Sequence, residues 1–400
     1  MTENQMYKEA RSFFQIFEPK GEIIMAVKLP GSVQIMGDTA DFNRGKVISG
    51  NIGKNAVLMA QKRKDGDRSI HFYSRKYDEK IRLSLNDPQS REEHGWANYM
   101  ASTLFMLEGQ SKKVNGMNVF VDNLIPDYFD ANSMEALEVG VAYLASQFSD
   151  WKLAGAEMAS ICAEGERKYM GREKNYVKYI PIIFAKNGML TFFDSSSNTE
   201  ENIKADLGQY VFMTLSSGLR KKHLENKVAA IASDVRESIA VMNRNGASIS
   251  GLDQLSLEKF DDYRAKLSMQ QRKRCAYFIS ENDRVIKARD ALKKADMSGF
   301  AEIMNESQRN IKNRLEVVEE ENEILLDILN DLPEIRAARM LNMGLDGTVL
   351  VLVEKEKRYA VESRVKKTFV TRTGLELFSE TFDLNNEFEE IRINVSDFKK

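Results

Sequence analysis

The chain has 400 residues, 42% of them hydrophobic and 30% charged, and a formal net charge of −2. That composition suits a large core spread over two packed lobes or domains, and the near balance of charge argues against a global pull toward nucleic acid or anionic membrane. Two cysteines, Cys162 and Cys275, are too few for a disulfide framework, and three scattered histidines, His71, His94 and His223, argue against a histidine-based zinc site or catalytic triad.

The opening MTENQMYKEARSFFQIFEPK has no apolar core of signal-peptide length and reads as an amphipathic helix. Short β-type runs then alternate with turns: EIIMAVKL, VQIMGD, KVISGNI, NAVLMAQKR, RSIHFYSRK and IRLSLN, with KDGD as a hairpin turn. From Arg91 the pattern becomes helical, with Trp96, Tyr99, Met100, Leu104 and Leu107 on one face. A strand at Asn118–Asp122, a helix from Asn132 and another from about Asp150 to Met170 follow. VKYIPIIFA and MLTFFDSS read as strands flanking the turn Lys186-Asn187-Gly188, and the strand QYVFMTLSS opens the second half. That half is predicted to be mainly helical to about Arg339 and to close with strand GTVLVLVEK, a terminal strand and a tail. The order is α+β rather than strict βαβ alternation.

SSSNTEENIKAD (Ser195–Asp206) is the expected linker between a first lobe over 1–195 and a second over 207–400. The acidic run EVVEEENEILLDILNDLPE keeps Leu325, Leu326, Ile328 and Leu329 in helical register, which makes its carboxylates a solvated face. The basic clusters QKRK, GLRKKH and QQRKR are separated and carry no interleaved aromatic platform, so no nucleic-acid partner is expected. No run approaches the ~18 apolar residues of a membrane helix, so no membrane insertion is expected and a reduced cytoplasmic location is the default.

One stretch, NVFVDNLIPDYFDANSMEALEVGVAYLA (Asn118–Ala145), has the outline of a phosphate-binding site: a β run, a loop after Pro126 and a strong helix. The loop, however, contains no glycine. LPGSVQIMGDTADFNRG (Leu29–Gly45), this stretch, and ARMLNMGLDGTVLVLV (Ala338–Val353) resemble, in order and spacing, the three motifs of the galactokinase branch of the GHMP kinase family. GWANYM, GERKYMG and MNESQRNIKNRLEVV resemble supporting segments between them, so the resemblance runs from about 25 to 355. It implies an α+β, two-lobed GHMP-kinase fold, with mixed sheets, helices packed on one side and a cleft between the lobes. It further implies ATP-dependent phosphorylation of a hexose at its anomeric hydroxyl.

At each motif the chain departs from the family pattern. Pro30, Gly31, Val33, Gly37, Asp41 and Asn43 match the first motif, but the family arginine is Ser32 and the sugar-binding Glu-His pair is Asp38-Thr39. Asp38, Asp41 and Asn43 retain a possible grip on a sugar; they equally fit a turn beside Gly37. The nucleotide loop has become Tyr128, Phe129 and Asp130, with Asn132-Ser133-Met134 in place of three serines. Rings would fill the phosphate space and Asp130 would repel a triphosphate. Asn132 remains a good helix N-cap, and Ser133 suits either a structural role or a magnesium ion. Aligned from Gly171, Asn175 falls at a family glycine and Val177-Lys178-Tyr179 at Met-Asp-Gln, so the base position is Lys178. A protonated lysine does not accept a hydroxyl proton. Lys178 therefore reads as a solvent-facing strand residue, or as an ammonium that pairs with Asp38 or Asp41 and closes the sugar pocket. Of the glycine-rich third motif only Gly344 and Gly347 survive, the family histidine after Ser307 is Gln308, and the sugar-contacting tyrosine expected after MTLSSGLRKKH is absent.

Arginine, base, phosphate loop and glycine flap are altered together, which makes the chain resemble a pseudokinase. Three readings follow. One is a non-catalytic galactokinase-like protein that binds, regulates or scaffolds, with no cofactor and with a hexose or a protein as partner. The second is a sugar kinase of altered site that uses Mg-ATP. The third is an assembly subunit whose amphipathic N-terminal helix docks on a partner.

Overall fold

The structure, a computed structural model, describes residues 3–18, 23–38, 43–89, 91–172, 176–218, 222–344 and 347–394. Helix α1 (Glu3–Phe17) leads into strands β1 (Ile23–Met36), β2 (Lys46–Lys62), β3 (Ser69–Ser74) and β4 (Glu79–Ser84). Helix α2 (Asn98–Gly109), strand β5 (Met117–Asn123), and helices α3 (Ser133–Gln147), α4 (Gly155–Met170) and α5 (Ile180–Ile183) follow, then strands β6 (Met189–Asp194), β7 (Thr199–Lys204) and β8 (Tyr210–Ser216). The remainder holds helices α6 (Lys222–Arg244), α7 (Leu257–Asp261), α8 (Met269–Lys293), α9 (Met297–Asn310) and α10 (Glu320–Asn330), strands β9 (Ile335–Met340) and β10 (Thr348–Glu354), helix α11 (Arg358–Thr373), and strands β11 (Phe378–Thr381) and β12 (Glu389–Asn394).

An eight-stranded sheet in the order β12-β1-β2-β5-β3-β4 carries the β6–β7 hairpin on β2. A four-stranded sheet runs β11-β8-β10-β9. Helices α2 and α3 cover one face of the large sheet. Gly140 lets α3 come close: a Cβ there would lie 2.9 Å from both Leu29 and Leu58 side chains. In the small sheet the continuous apolar run of β10 is explained by burial on both faces. Leu350 and Leu352 face the core of the large sheet, while Val349, Val351 and Val353 face the second core. Helix α8 spans the same division, with Cys275 and Phe278 in the second core and Val285, Ala288 and Leu292 in the first.

Several expectations change. EIIMAVKL and VQIMGD form one strand, as do KVISGNI and NAVLMAQKR, with a register shift between Pro30 and Ser32 absorbing the interruption. KDGD does not close a hairpin, because β5 lies between β2 and β3 and pairs with β3 in parallel. VKYIPIIFA is a 3₁₀ turn (Tyr176–Lys178) followed by α5, not a strand. Its Val177, Tyr179, Ile180 and Ile182 are all buried, so periodicity could not separate strand from buried helix, and Pro181 sits in the first helical turn where its missing N–H costs nothing. Ser195–Asp206 is no extended linker: it contains the turn and second strand of the β6–β7 hairpin. The last strand, β12, returns to pair with β1, so sheet membership does not follow two consecutive halves of the chain. Helix α11 went unread, although Val361, Val365 and Phe369 mark its buried stripe.

The amphipathic N-terminal helix is used internally. Ala10 and Phe13 are fully buried against Ile24, Ala26, Val57, Met59, Phe120 and Ile393, on the sheet face opposite α2 and α3. Its polar side is tied down by Arg75, which binds Glu9, donates to Ser12 (2.6 Å) and reaches Asp122 (2.9 Å). The face reserved for a partner in the assembly-subunit reading is therefore occupied by the chain's own sheet. Phe13→Ala is expected to lower unfolding stability by about 3 kcal/mol, the usual range for emptying a buried phenylalanine site. Urea denaturation measures it; an unchanged midpoint would mean that α1 is not part of the folded unit.

Candidate functional site

The first motif ends in a buried charge network. Gly37 adopts φ +85°, and a Cβ there would stand 2.2 Å from the Lys46 carbonyl oxygen, so only glycine fits the chain reversal. Its amide donates to Glu281 (3.3 Å). The next residue, Asp38, is 5% exposed; its carboxylate accepts from Tyr277 Oη, from Arg339 Nη2 and from the Met343 amide (3.3 Å). Arg339 is fully buried, and also donates to Ser307 Oγ (2.8 Å), the Met340 carbonyl (3.1 Å) and Glu281 (3.2 Å). Glu281 receives Arg284 Nε (2.7 Å) and the Ser307 hydroxyl (2.9 Å). Positions 277, 281 and 284 share one stripe of α8, which aims tyrosine, carboxylate and guanidinium at the same point.

Two carboxylates and two guanidinium groups balance here, and their environments separate them. Complete burial, together with the nearby charge of Glu281, raises the Asp38 carboxyl above the ordinary aspartate range despite Arg339. Arg339 and Arg284, with the Ser307 hydroxyl, hold Glu281 below the ordinary glutamate range although burial opposes them. Arg339 is held further toward its charged form by both carboxylates. Sequence reading missed Tyr277, Glu281, Arg284 and Arg339. The available signal was a tyrosine, a glutamate and an arginine at i, i+4 and i+7 on the buried side of a helix, and a lone arginine within the third motif.

Asn43 behaves as a turn residue: its side-chain oxygen accepts from the Gly45 amide (3.1 Å) and its nitrogen donates to the Asp38 carbonyl (3.3 Å). Asp41, with Thr39 beside it, lies outside the described residues, as does Asn175.

The nucleotide-loop positions are engaged by the rest of the chain. Tyr128 donates to Glu380 (2.8 Å), and its ring stacks on Phe378 at 4.7 Å between centroids. Burial and the Glu380 carboxylate push its phenol well above the ordinary tyrosine range. Phe129 is 2% exposed in the large core. Asp130 binds the Lys178 ammonium and accepts from Asn342 Nδ2 (3.0 Å). Lys178 thus takes Asp130 as a partner; of the two carboxylates expected for it, Asp38 is not paired with it, since every partner of the Asp38 carboxylate comes from Tyr277, Arg339 or Met343, and Asp41 lies outside the described residues. The reason is placement: Lys178 lies in a short 3₁₀ turn beside α5 rather than on a strand. Asn132 precedes α3 but is left-handed (φ 55°, ψ 40°) and makes no side-chain cap; its amide donates instead to Ser32 Oγ (2.8 Å). Ser133 Oγ accepts from Asn123 Nδ2 (2.9 Å). Gln308 accepts from the Met340 amide (2.7 Å).

Among the described residues no group of three or more histidine, cysteine, aspartate or glutamate side chains is arranged to hold a metal ion, and no helix is long and apolar enough to cross a membrane.

The architecture can be compared with known proteins. A galactokinase from Lactococcus lactis, solved in complex with galactose, superimposes with a TM-score of 0.89, covering 96% of this chain and 100% of that one at 20% identity. The fold is that of a galactokinase. A Methanococcus jannaschii mevalonate kinase superimposes with a TM-score of 0.57 over 91% of this chain and 99% of its own, at 16% identity. In sequence, the chain is 24% identical over 368 residues to a galactokinase from Staphylococcus saprophyticus, covering 91% of this chain and 94% of the relative. A Streptococcus suis galactokinase is 25% identical over 349 residues, 86% of this chain and 89% of the relative. No family model matches. Sequence relatives and fold together support a place in the galactokinase branch of the GHMP kinases.

Arg339→Met is expected to destabilise the protein by about 3–5 kcal/mol at neutral pH, because two buried carboxylates lose their shared cation. Without it both carboxyl groups titrate higher when folded than when unfolded, so the folded state binds more protons. The deficit should be smallest near the unfolded carboxylate range, about pH 4, and grow as pH rises through the raised values. Denaturation midpoints from pH 4 to 8 measure this; a pH-independent deficit would show that the charges are not the cause.

Proposed function

We propose that this is a non-catalytic galactokinase-like protein, a pseudokinase whose interlobe cleft is held by its own side chains and which acts by binding, as a regulatory or scaffold component. The observation that carries the reading is the ion pair between Lys178 and Asp130. The position that would supply the base is an ammonium, with no lone pair to accept a hydroxyl proton, and its partner carboxylate sits where a phosphate-binding loop needs neutral backbone. Ser32, at the arginine position, offers a hydroxyl already joined to Asn132 and no charge for a transferring phosphoryl group. The loop does not fit a magnesium triphosphate: Asp130 presents negative charge, Tyr128 is anchored to Glu380, and Ser133 Oγ is engaged by Asn123. No cofactor is required by this reading. Asp38, Asp41 and Asn43 remain the candidate hexose contacts, although the inward-facing bonds of Asp38 favour a role in positioning the chain. Two lobes divided near 195–207 are the arrangement on which this cleft is read.

The same ion pair favours one second reading. A carboxylate and a cation are both present in the cleft, with positions exchanged relative to the family pattern. Asp130 would then serve as base and Lys178 as the charge replacing the arginine, in a Mg-ATP-dependent sugar kinase with an altered site.

Coupled-assay ADP release with Mg-ATP and galactose, together with melting temperatures for each ligand alone and both, separates the two. The non-catalytic reading expects no ADP above background and no stabilisation by Mg-ATP; a ligand at a hundred times its Kd would add about 2.7 kcal/mol. Stabilisation by galactose alone would mark a sugar-responsive cleft. Turnover that falls about a hundredfold or more in both Asp130→Asn and Lys178→Met would overturn the proposal in favour of the kinase.

A further inference from the structure

On the face of the large sheet that α1 covers, a polar row crosses four strands. Register aligns Arg82 on β4, His71 on β3, Asn118 on β5 and Gln61 on β2. Beside it, under the C-terminal end of α1, lies a pocket of about 420 Å³ bordered by Ile16, Phe17, Arg63, His71, Arg82 and Asn118, with Lys80 at its edge. Nothing in the kinase resemblance refers to this face.

The lining is polar and basic. Ser69 Oγ donates to Asp67 (2.7 Å) and lies 3.0 Å from His71 Nε2. Arg63 Nη1 stands 2.6 Å from Nδ1 and 2.8 Å from Nε2, so its cation faces the ring edge. Burial and the charges of Arg63 and Arg82 hold the imidazole below its ordinary range, which favours the neutral ring. Asp65 and Asp67 pair with Arg63, and Asp67 also with Arg82 (3.0 Å). Lys80 makes no ion pair among the described residues. Three cations therefore face two carboxylates. Two buried polar atoms of the row also lack partners: Asn118 Oδ1, an acceptor, and Gln61 Nε2, a donor, on a side chain only 6% exposed.

We propose that this pocket is a binding site for a phosphorylated, hydroxyl-bearing small molecule of sugar-phosphate size. The phosphate answers the excess cation, with Lys80 and Arg82 as its ligands at the open edge. A hydroxyl is a neutral donor from which the unpaired oxygen of Asn118, on the pocket lining, can accept. Ile16 and Phe17 supply the apolar wall, and the volume falls in the range of about 300–1,000 Å³ typical of small-ligand sites. The site is separate from the interlobe cleft and does not depend on whether that cleft is catalytic.

Glucose 6-phosphate is the probe, followed by calorimetry and by the His71 ring resonances, with glucose and inorganic phosphate as controls. The expected result is saturable binding that shifts His71, is weaker for either control alone, and drops at least about tenfold in Lys80→Glu/Arg82→Glu, a pair of exposed edge-strand changes outside the core. Absence of any shift at about 10 mM probe, undiminished binding in the double variant, or inorganic phosphate binding as tightly as the sugar phosphate would each overturn the proposal.

Discussion

The structure depends on burying four charges at one point. Asp38, Glu281, Arg284 and Arg339 come from a turn after β1, from α8 and from β9, and none is more than 5% exposed. Desolvating a carboxylate or a guanidinium costs several kcal/mol each, and that cost is offset only when every group finds its partner in good geometry. Such a network adds little net stability; its effect is selective. A displacement of β9 relative to α8 leaves charge unpaired in the interior, so competing arrangements are penalised more than the observed one is favoured. Ser307 and Tyr277 complete the set by satisfying remaining carboxylate oxygens. The network also sits where α8 passes from one hydrophobic core to the other, which is why it fixes the relation between the two sheets and not merely a local turn.

That placement constrains what the first motif can do. A carboxylate that grips a sugar needs lone pairs turned toward the cleft, whereas Asp38 directs both oxygens to donors within the protein. Its raised proton affinity has the same origin, since complete burial beside a second carboxylate disfavours the charged form. The loop after β5 shows the same tendency by different chemistry. Tyr128 reaches the small sheet by stacking and by a hydrogen bond, and Asp130 binds Lys178 and Asn342. The side chains of this loop are thus joined to other parts of the chain.

The fold was largely legible because its signals are strong and redundant. Three motifs in order, an apolar run in β10 and a loop-to-helix junction at Asn132–Ser133 each pointed to one architecture. What escaped reading was decided by long-range contact. The strand pattern of VKYIPIIFA was overridden by burial on all sides, and KDGD supplied turn chemistry without hairpin pairing because β5, fifty residues on, competes successfully for the edge of β2. Charged residues of α8 look solvated in one dimension; only β9 and the turn at Gly37 reveal that they face inward. The pairing of Lys178 with Asp130 escaped reading, since motif spacing carries no information about which of several acidic side chains lies within reach.

The pairing of Lys178 with Asp130 has a physical logic of its own. Lys178 alone would leave an ammonium in a partly buried place, and Asp130 alone an isolated carboxylate there. Each is costly alone and tolerable with the other, because a pair at this degree of exposure recovers its desolvation through direct contact. The Asn132–Ser32 hydrogen bond links the arginine position to the loop in the same manner. Lys178–Asp130 and Asn132–Ser32 each join segments distant in sequence, so these pairs hold the loop after β5 to the rest of the fold.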